Sequence, residues 1–139
     1  EFRRVLFRSA ADKGLHFGYY TGGTIVRFGQ YSDDIDINPY PAYIANEPLH
    51  YWAGTESSTT GRRIYENGTN SKTDATKTTL LSSTSGNFTI GWRAFGISTY
   101  YYSGEIYEVL VFTSSLYDLD NTGGLITQIY NNQLSYTGT

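Results

Sequence analysis

The chain has 139 residues, no cysteine and a formal net charge of −3. That is the size of one domain with one core, and it excludes a disulfide framework, thiolate metal sites and the strongly basic face that nucleic acid demands. Threonine (18), tyrosine (14) and phenylalanine (7) give a composition rich in pleat-favouring residues, and no stretch approaches the 18 apolar residues of a membrane-spanning helix.

The first nine residues, EFRRVLFRS, match no secondary-structure period well. The string resembles a translated sequencing adapter of the kind found at the ends of assembled reading frames. On that reading residues 1–9 are a non-native leader, residues 10–139 are the domain, and a native first strand is missing upstream of Ala10. Arg3, Arg4 and Arg8 then belong to no site, and removing residues 1–9 should leave thermal stability nearly unchanged. The alternative is a genuine edge strand, VLFR, with a cationic flank.

Leu15–Tyr20 reads as a strand, and Gly22-Gly23 supplies the positive φ of a hairpin turn before a return strand from Ile25 to Tyr31. Residues 32–39 read as an acidic loop ending in a turn at Pro39. Pro48 opens a strand over Leu49–Thr55, with His50 and Trp52 on one face and Leu49, Tyr51 and Ala53 on the other. A polar loop follows at 56–61, then a strand at Arg62–Glu66. Asn67-Gly68 is the strongest turn signal in the chain. Residues 69–79 read as a short outer strand, Leu80-Leu81 as a small apolar anchor and Phe88–Trp92 as another strand.

The most apolar strand is expected within Tyr101–Phe112, where Ile106–Phe112 breaks clean alternation and calls for a bulge or cover on both faces. Helical spacing occurs only between Leu116 and Tyr130, divided by Gly123-Gly124, so a turn and a short helix are expected there. The tail from Leu134 reads as a short edge strand. About eight short strands and one late helix describe an all-β sandwich or barrel.

Several segments in order carry a family resemblance. Leu49–Thr55 looks like a "W-h-h-v-A-x-t" strand, and Ile64-Tyr65-Glu66-Asn67-Gly68 like "l-Y-v-N-G". Phe88-Thr89-Ile90-Gly91 looks like "l-x-I-G", and the run from Tyr102 through Gly104, Ile106 and Glu108 to Phe112 like "f-x-G-x-I-x-E-v-x-v-y". Over about residues 14–130 they resemble the concanavalin A-like, laminin G-like family. Leu49 stands where that pattern has Trp, and Glu66 where it has Val. The resemblance implies an all-β jelly-roll sandwich of two antiparallel sheets with one short C-terminal helix. It also implies a glycan- or protein-binding module of a larger secreted, cell-surface or virion protein.

Candidate binding residues follow from chemistry. Tyr100, Tyr101 and Tyr102, beside Trp92, could stack on sugar faces at a loop rim, and Tyr40 and Tyr43 could do so on another loop. Asp33, Asp34, Asp36 and Asn38 place four oxygen-bearing side chains within six residues and could hold Ca²⁺, although the EF-hand glycine and bidentate Glu are absent. The other reading of that run is a solvated loop with local Asx bonds. His16 and His50 form no zinc motif and no triad. Gly104-Glu105-Ile106-Tyr107-Glu108 does not give the paired carboxylates of a retaining glycosidase. The sequence thus predicts a non-enzymatic module whose partner is a carbohydrate or a surface protein. Two other readings are a structural spacer of the tail-fibre kind and a glycoside hydrolase fragment.

Overall fold

A computed structural model describes residues 5–8, 15–20, 24–30, 33–40, 50–80, 87–90, 106, 108–112 and 124–137. Eight strands precede one helix: β1 (Val5–Arg8), β2 (Leu15–Tyr20), β3 (Ile25–Gln30), β4 (Asp33–Ile37), β5 (Trp52–Ser57), β6 (Gly61–Glu66), β7 (Thr69–Asp74), β8 (Asn87–Ile90) and α1 (Leu125–Thr137). The strands form a five-stranded sheet in the order β4-β3-β2-β1-β8 and a three-stranded sheet in the order β5-β6-β7. Every pairing is antiparallel. This is the all-β, concanavalin A-like sandwich with one C-terminal helix that the sequence predicts.

Period-two alternation sorts the side chains into an inner and an outer face. Cross-strand register then divides the inner face into three tiers. Leu15, Gln30 and Asp33 are aligned in one row, Phe17, Phe28 and Ile35 in the next, and Tyr19, Val26 and Ile37 in the third. On the facing sheet the matching rows are Glu56 with Arg62, Gly54 with Ile64, and Trp52 with Glu66. The middle tier is the apolar centre: Phe28 and Ile35 are buried, and Ile64 is wholly so. Gly54 makes that packing possible, because a Cβ there would lie 2.6–2.8 Å from atoms of the Phe28 ring.

The β6–β7 connection follows the Asn67-Gly68 signal. Both residues have positive φ, 51° and 77°, as a two-residue hairpin turn with the twist of its strands requires. α1 packs against this turn. Thr127 Oγ1 donates to the Gly68 carbonyl at 3.0 Å, and the Tyr130 ring lies 6.1 Å from that of Tyr51.

Four expectations need correction. The acidic run is a strand, β4, rather than a loop, since Asp33, Ile35 and Ile37 alternate with Asp34 and Asp36 and the ladder with β3 runs through all five. The tail is helical through Thr137, because Ile126, Tyr130 and Leu134 recur at intervals of four and share one helical face. Leu80 is exposed rather than an anchor. In the expected apolar strand, Ile106 and residues 108–112 are described and lie outside any strand, with Leu110, Val111 and Phe112 exposed. Strand propensity needs a ladder partner to become a strand, and among the described residues this segment has none.

Candidate functional site

The two ends of the sandwich differ chemically. At one end the inner tier is polar and closed on itself. Arg62 has no exposed surface, and its guanidinium donates in three directions. Nε meets Glu56 Oε2 at 3.4 Å, Nη1 meets Asp33 Oδ2 at 2.9 Å and the Asp33 carbonyl, and Nη2 meets the Thr79 carbonyl. Gln30 Nε2 donates to Thr79 O at 3.2 Å and reaches Glu56 Oε2 at 3.4 Å. Lys77 Nζ lies 3.1 Å from Asp33 Oδ1. Burial raises the Asp33 carboxyl's pKa, but Lys77 and Arg62 together outweigh it, so the net direction is downward. The tier ties β3 and β4 to β5, β6 and the segment after β7.

At the other end the inner tier is aromatic. Trp52 is the hub: the Tyr40 ring lies 5.4 Å away, the Phe17 and Tyr19 rings each 6.3 Å, and His50 stacks nearly parallel at 6.1 Å with 12° between planes. Glu66, opposite Trp52 in the ladder, supplies the one carboxylate of this tier among the described residues. Its Oε1 accepts from the Tyr40 hydroxyl at 2.6 Å and lies 3.1 Å from His50 Nδ1. Among the described residues nothing donates to Oε2. The buried indole N–H of Trp52 likewise finds no acceptor there. His50 and Glu66 keep 23% and 25% of their side-chain surface exposed, so both side chains reach solvent. Burial, then Glu66 and Tyr19, push the Tyr40 hydroxyl's pKa well above that of an ordinary phenol.

Of the sequence-predicted binding residues, Tyr40 is placed here, but with its ring buried in the core and its hydroxyl on Glu66. Tyr43, Trp92, Tyr100, Tyr101 and Tyr102 lie outside the described residues. The four proposed calcium ligands are not brought together. Asp33 faces inward to Arg62 and Lys77, whereas Asp34 and Asp36 face outward. Asp34 Oδ1 lies 2.6 Å from His16 Nε2, reached across Gly29, and Asp36 takes both ends of the Arg27 fork at 2.7 and 2.8 Å. Asn38 is exposed beyond the strand end. Among the described residues no three His, Cys, Asp or Glu side chains are grouped to hold a metal.

Sequence reasoning missed Glu66 and His50 as partners. In the sequence Glu66 stands out only as a departure from a pattern that has Val, yet a carboxylate at an inward strand position calls for a donor. Alternation puts His50 on the face of Trp52, and the two rings do stack.

A model of laminin G-like domains, described as the concanavalin A-like lectin/glucanases superfamily, matches residues 1–120. The chain belongs to that superfamily. No curated protein and no solved structure matches it. Membership makes the chain a member of a family of carbohydrate- or protein-binding modules in general, typically non-catalytic, in a superfamily that also contains glycosidases. Among the described residues no helix is long and apolar enough to cross a membrane.

Proposed function

We propose that this laminin G-like domain is a non-catalytic binding module of a larger secreted, cell-surface or virion protein, and that it takes a saccharide or a protein surface at its aromatic end. The observation that carries this reading is Glu66. Its Oε1 is held by Tyr40 and His50, while Oε2 is left for a ligand beside a partly exposed imidazole stacked on Trp52. A carboxylate oxygen accepts hydroxyl or amide protons, and a flat ring covers an apolar face, which together suit a sugar ring or a peptide edge. The non-catalytic part is supported by the state of the other inward carboxylates. Asp33 and Glu56 are both engaged by the buried Arg62 guanidinium, whereas the paired carboxyls of a retaining hydrolase must face the substrate.

A glycan and protein array, run with and without calcium, tests the proposal against His50→Ala and Glu66→Gln. Binding that falls at least tenfold in either variant supports it. Retention of full affinity in both variants moves the contact away from the aromatic end. No binding under any condition leaves the structural-spacer reading in its place.

A further inference from the structure

The carboxylates of β4, β5 and β6 differ in what balances their charge. Asp33 and Glu56 lie 2.9 and 3.4 Å from Arg62. Asp34 and Asp36 lie 3.6 and 2.7 Å from Arg27. Each of these four therefore has a guanidinium, which stays charged at any physiological pH. Glu66 has no arginine or lysine among the described residues. Its ion-pair partner is His50, a cation only when protonated. Burial does not account for the difference, because Glu66 keeps 25% of its side-chain surface where Asp33 keeps 26% and Asp36 28%.

The surroundings make the missing charge matter. Glu66 sits opposite Trp52 and against Tyr40 and His50. Charges attract more strongly beside such ring walls than in open water, and electron-rich ring faces favour a cation further. Oε1 already takes the Tyr40 hydroxyl and lies beside His50, so the open position is Oε2. A calcium ion does not fit there, since it needs about six to eight oxygen ligands and the described site offers one. A neutral hydroxyl would fill the open valence and leave the charge unmatched.

We infer that the group this end selects is a basic side chain, lysine or arginine, presented on the surface of a partner protein. The inference rests on the aromatic end being the binding site and names its ligand class. The ammonium or guanidinium donates to Glu66 Oε2, and its alkyl stem lies along the partly exposed His50 ring. Lysine and arginine carry their charge at neutral pH, which the hydroxyls of a neutral saccharide cannot supply. A charge-assisted bond is roughly twice as strong as a neutral one, so removing the ligand's charge should be felt directly in affinity.

The test titrates the isotope-labelled full chain with end-capped Gly-Ser peptides carrying one central lysine, arginine or acetyl-lysine, and with a neutral glucose oligomer. NMR follows the Trp52 indole N–H and the His50 amide. The lysine and arginine peptides should give saturable shifts, with affinity at least tenfold lower for acetyl-lysine and at least tenfold lower in Glu66→Gln. Equal affinity for the acetyl-lysine peptide, unchanged affinity in Glu66→Gln, or no saturable shift with either basic peptide overturns the inference. The acetyl-lysine comparison uses the unsubstituted chain, so it decides even if Glu66→Gln does not fold. If the glucose oligomer binds in a His50-dependent way and the basic peptides do not, the inference falls while the aromatic end remains the binding site. If no probe binds there, and no ligand from the array does, both fall together.

Discussion

Replacing Arg62 with alanine should be the most damaging single change in the inner polar tier. The side chain is wholly buried and donates to Asp33, Glu56 and the Thr79 carbonyl. Its loss removes the guanidinium from two carboxylates and two carbonyl oxygens, leaving Lys77 on Asp33 and Gln30 on Glu56 and the Thr79 carbonyl. Breaking a buried ion pair by removing one partner costs about 3–5 kcal/mol. The Asp33 and Glu56 side chains keep 26% and 19% exposure, and Asp33 keeps Lys77, so the lower end of that range, about 3 kcal/mol, applies. That is a large share of the roughly 5–15 kcal/mol by which domains are stable. Urea denaturation should show a lower midpoint at unchanged slope. Arg62→Lys should recover only part of the loss, because an ammonium cannot reach three sides as the guanidinium fork does. Arg62→Met combined with Asp33→Asn and Glu56→Gln should restore most of it, since the uncompensated charges are then gone. A cost below about 1 kcal/mol for Arg62→Ala would refute the view that this arginine compensates buried charge.

Asp33 also predicts an acid limb. Its folded pKa lies below the ordinary 3.8, so its contribution to stability is present above that value and is lost as pH falls through the folded pKa. Thermal melts from pH 5 down to pH 2 should show a steeper loss for the natural protein than for Asp33→Asn. Gly54→Ala drives a Cβ into the buried Phe28 ring and should cost about 1–3 kcal/mol by the same urea assay, as overpacking does. Pairing it with Phe28→Leu should recover part of that cost. Tyr40→Phe removes the 2.6 Å bond to Glu66 and should cost about 1–2 kcal/mol. The Tyr40 pKa is raised by folding, so its stabilisation is full below the ordinary phenol range and is lost as pH climbs toward the folded value. The variant should therefore lose less stability between pH 9 and pH 11 than the natural protein.

Much of the sandwich was legible because local chemistry and tertiary structure agree there. Leu15–Tyr20, Ile25–Gln30 and Gly61–Glu66 are strands where alternation says so, and Asn67-Gly68 turns where two positive φ angles are needed. Disagreement arises where a neighbour decides. Asp33–Ile37 reads as a polar loop because its aspartates mask the alternation, yet Arg27, His16 and Arg62 sit opposite them and make a charged strand stable. Leu110-Val111-Phe112 has the propensity of a strand but no ladder among the described residues. The site was legible only in its types. An aromatic rim was expected, and Tyr40 belongs to an aromatic cluster, but no spacing rule brings residue 40 to residue 66 across two sheets.

The register that builds the core also separates its two ends. Because the side-chain period is two, a shift of β6 by one residue would turn Arg62, Ile64 and Glu66 outward together. Arg62 and Glu66 are thus placed by the same ladder, four residues apart on one strand, yet they meet opposite surroundings. Arg62 finds two carboxylates and two carbonyls and donates from all three of its nitrogens. Glu66 finds a phenol and an imidazole on one oxygen, with no described donor for the other. Stability therefore concentrates at the Arg62 end, and unspent hydrogen-bonding capacity at the Glu66 end. A ligand that supplies a donor gains more at Glu66 than at Asp33 or Glu56, whose charges are already matched. Substitutions at the two ends should consequently separate in their effects: Arg62 changes should move stability first, and His50 or Glu66 changes should move binding first.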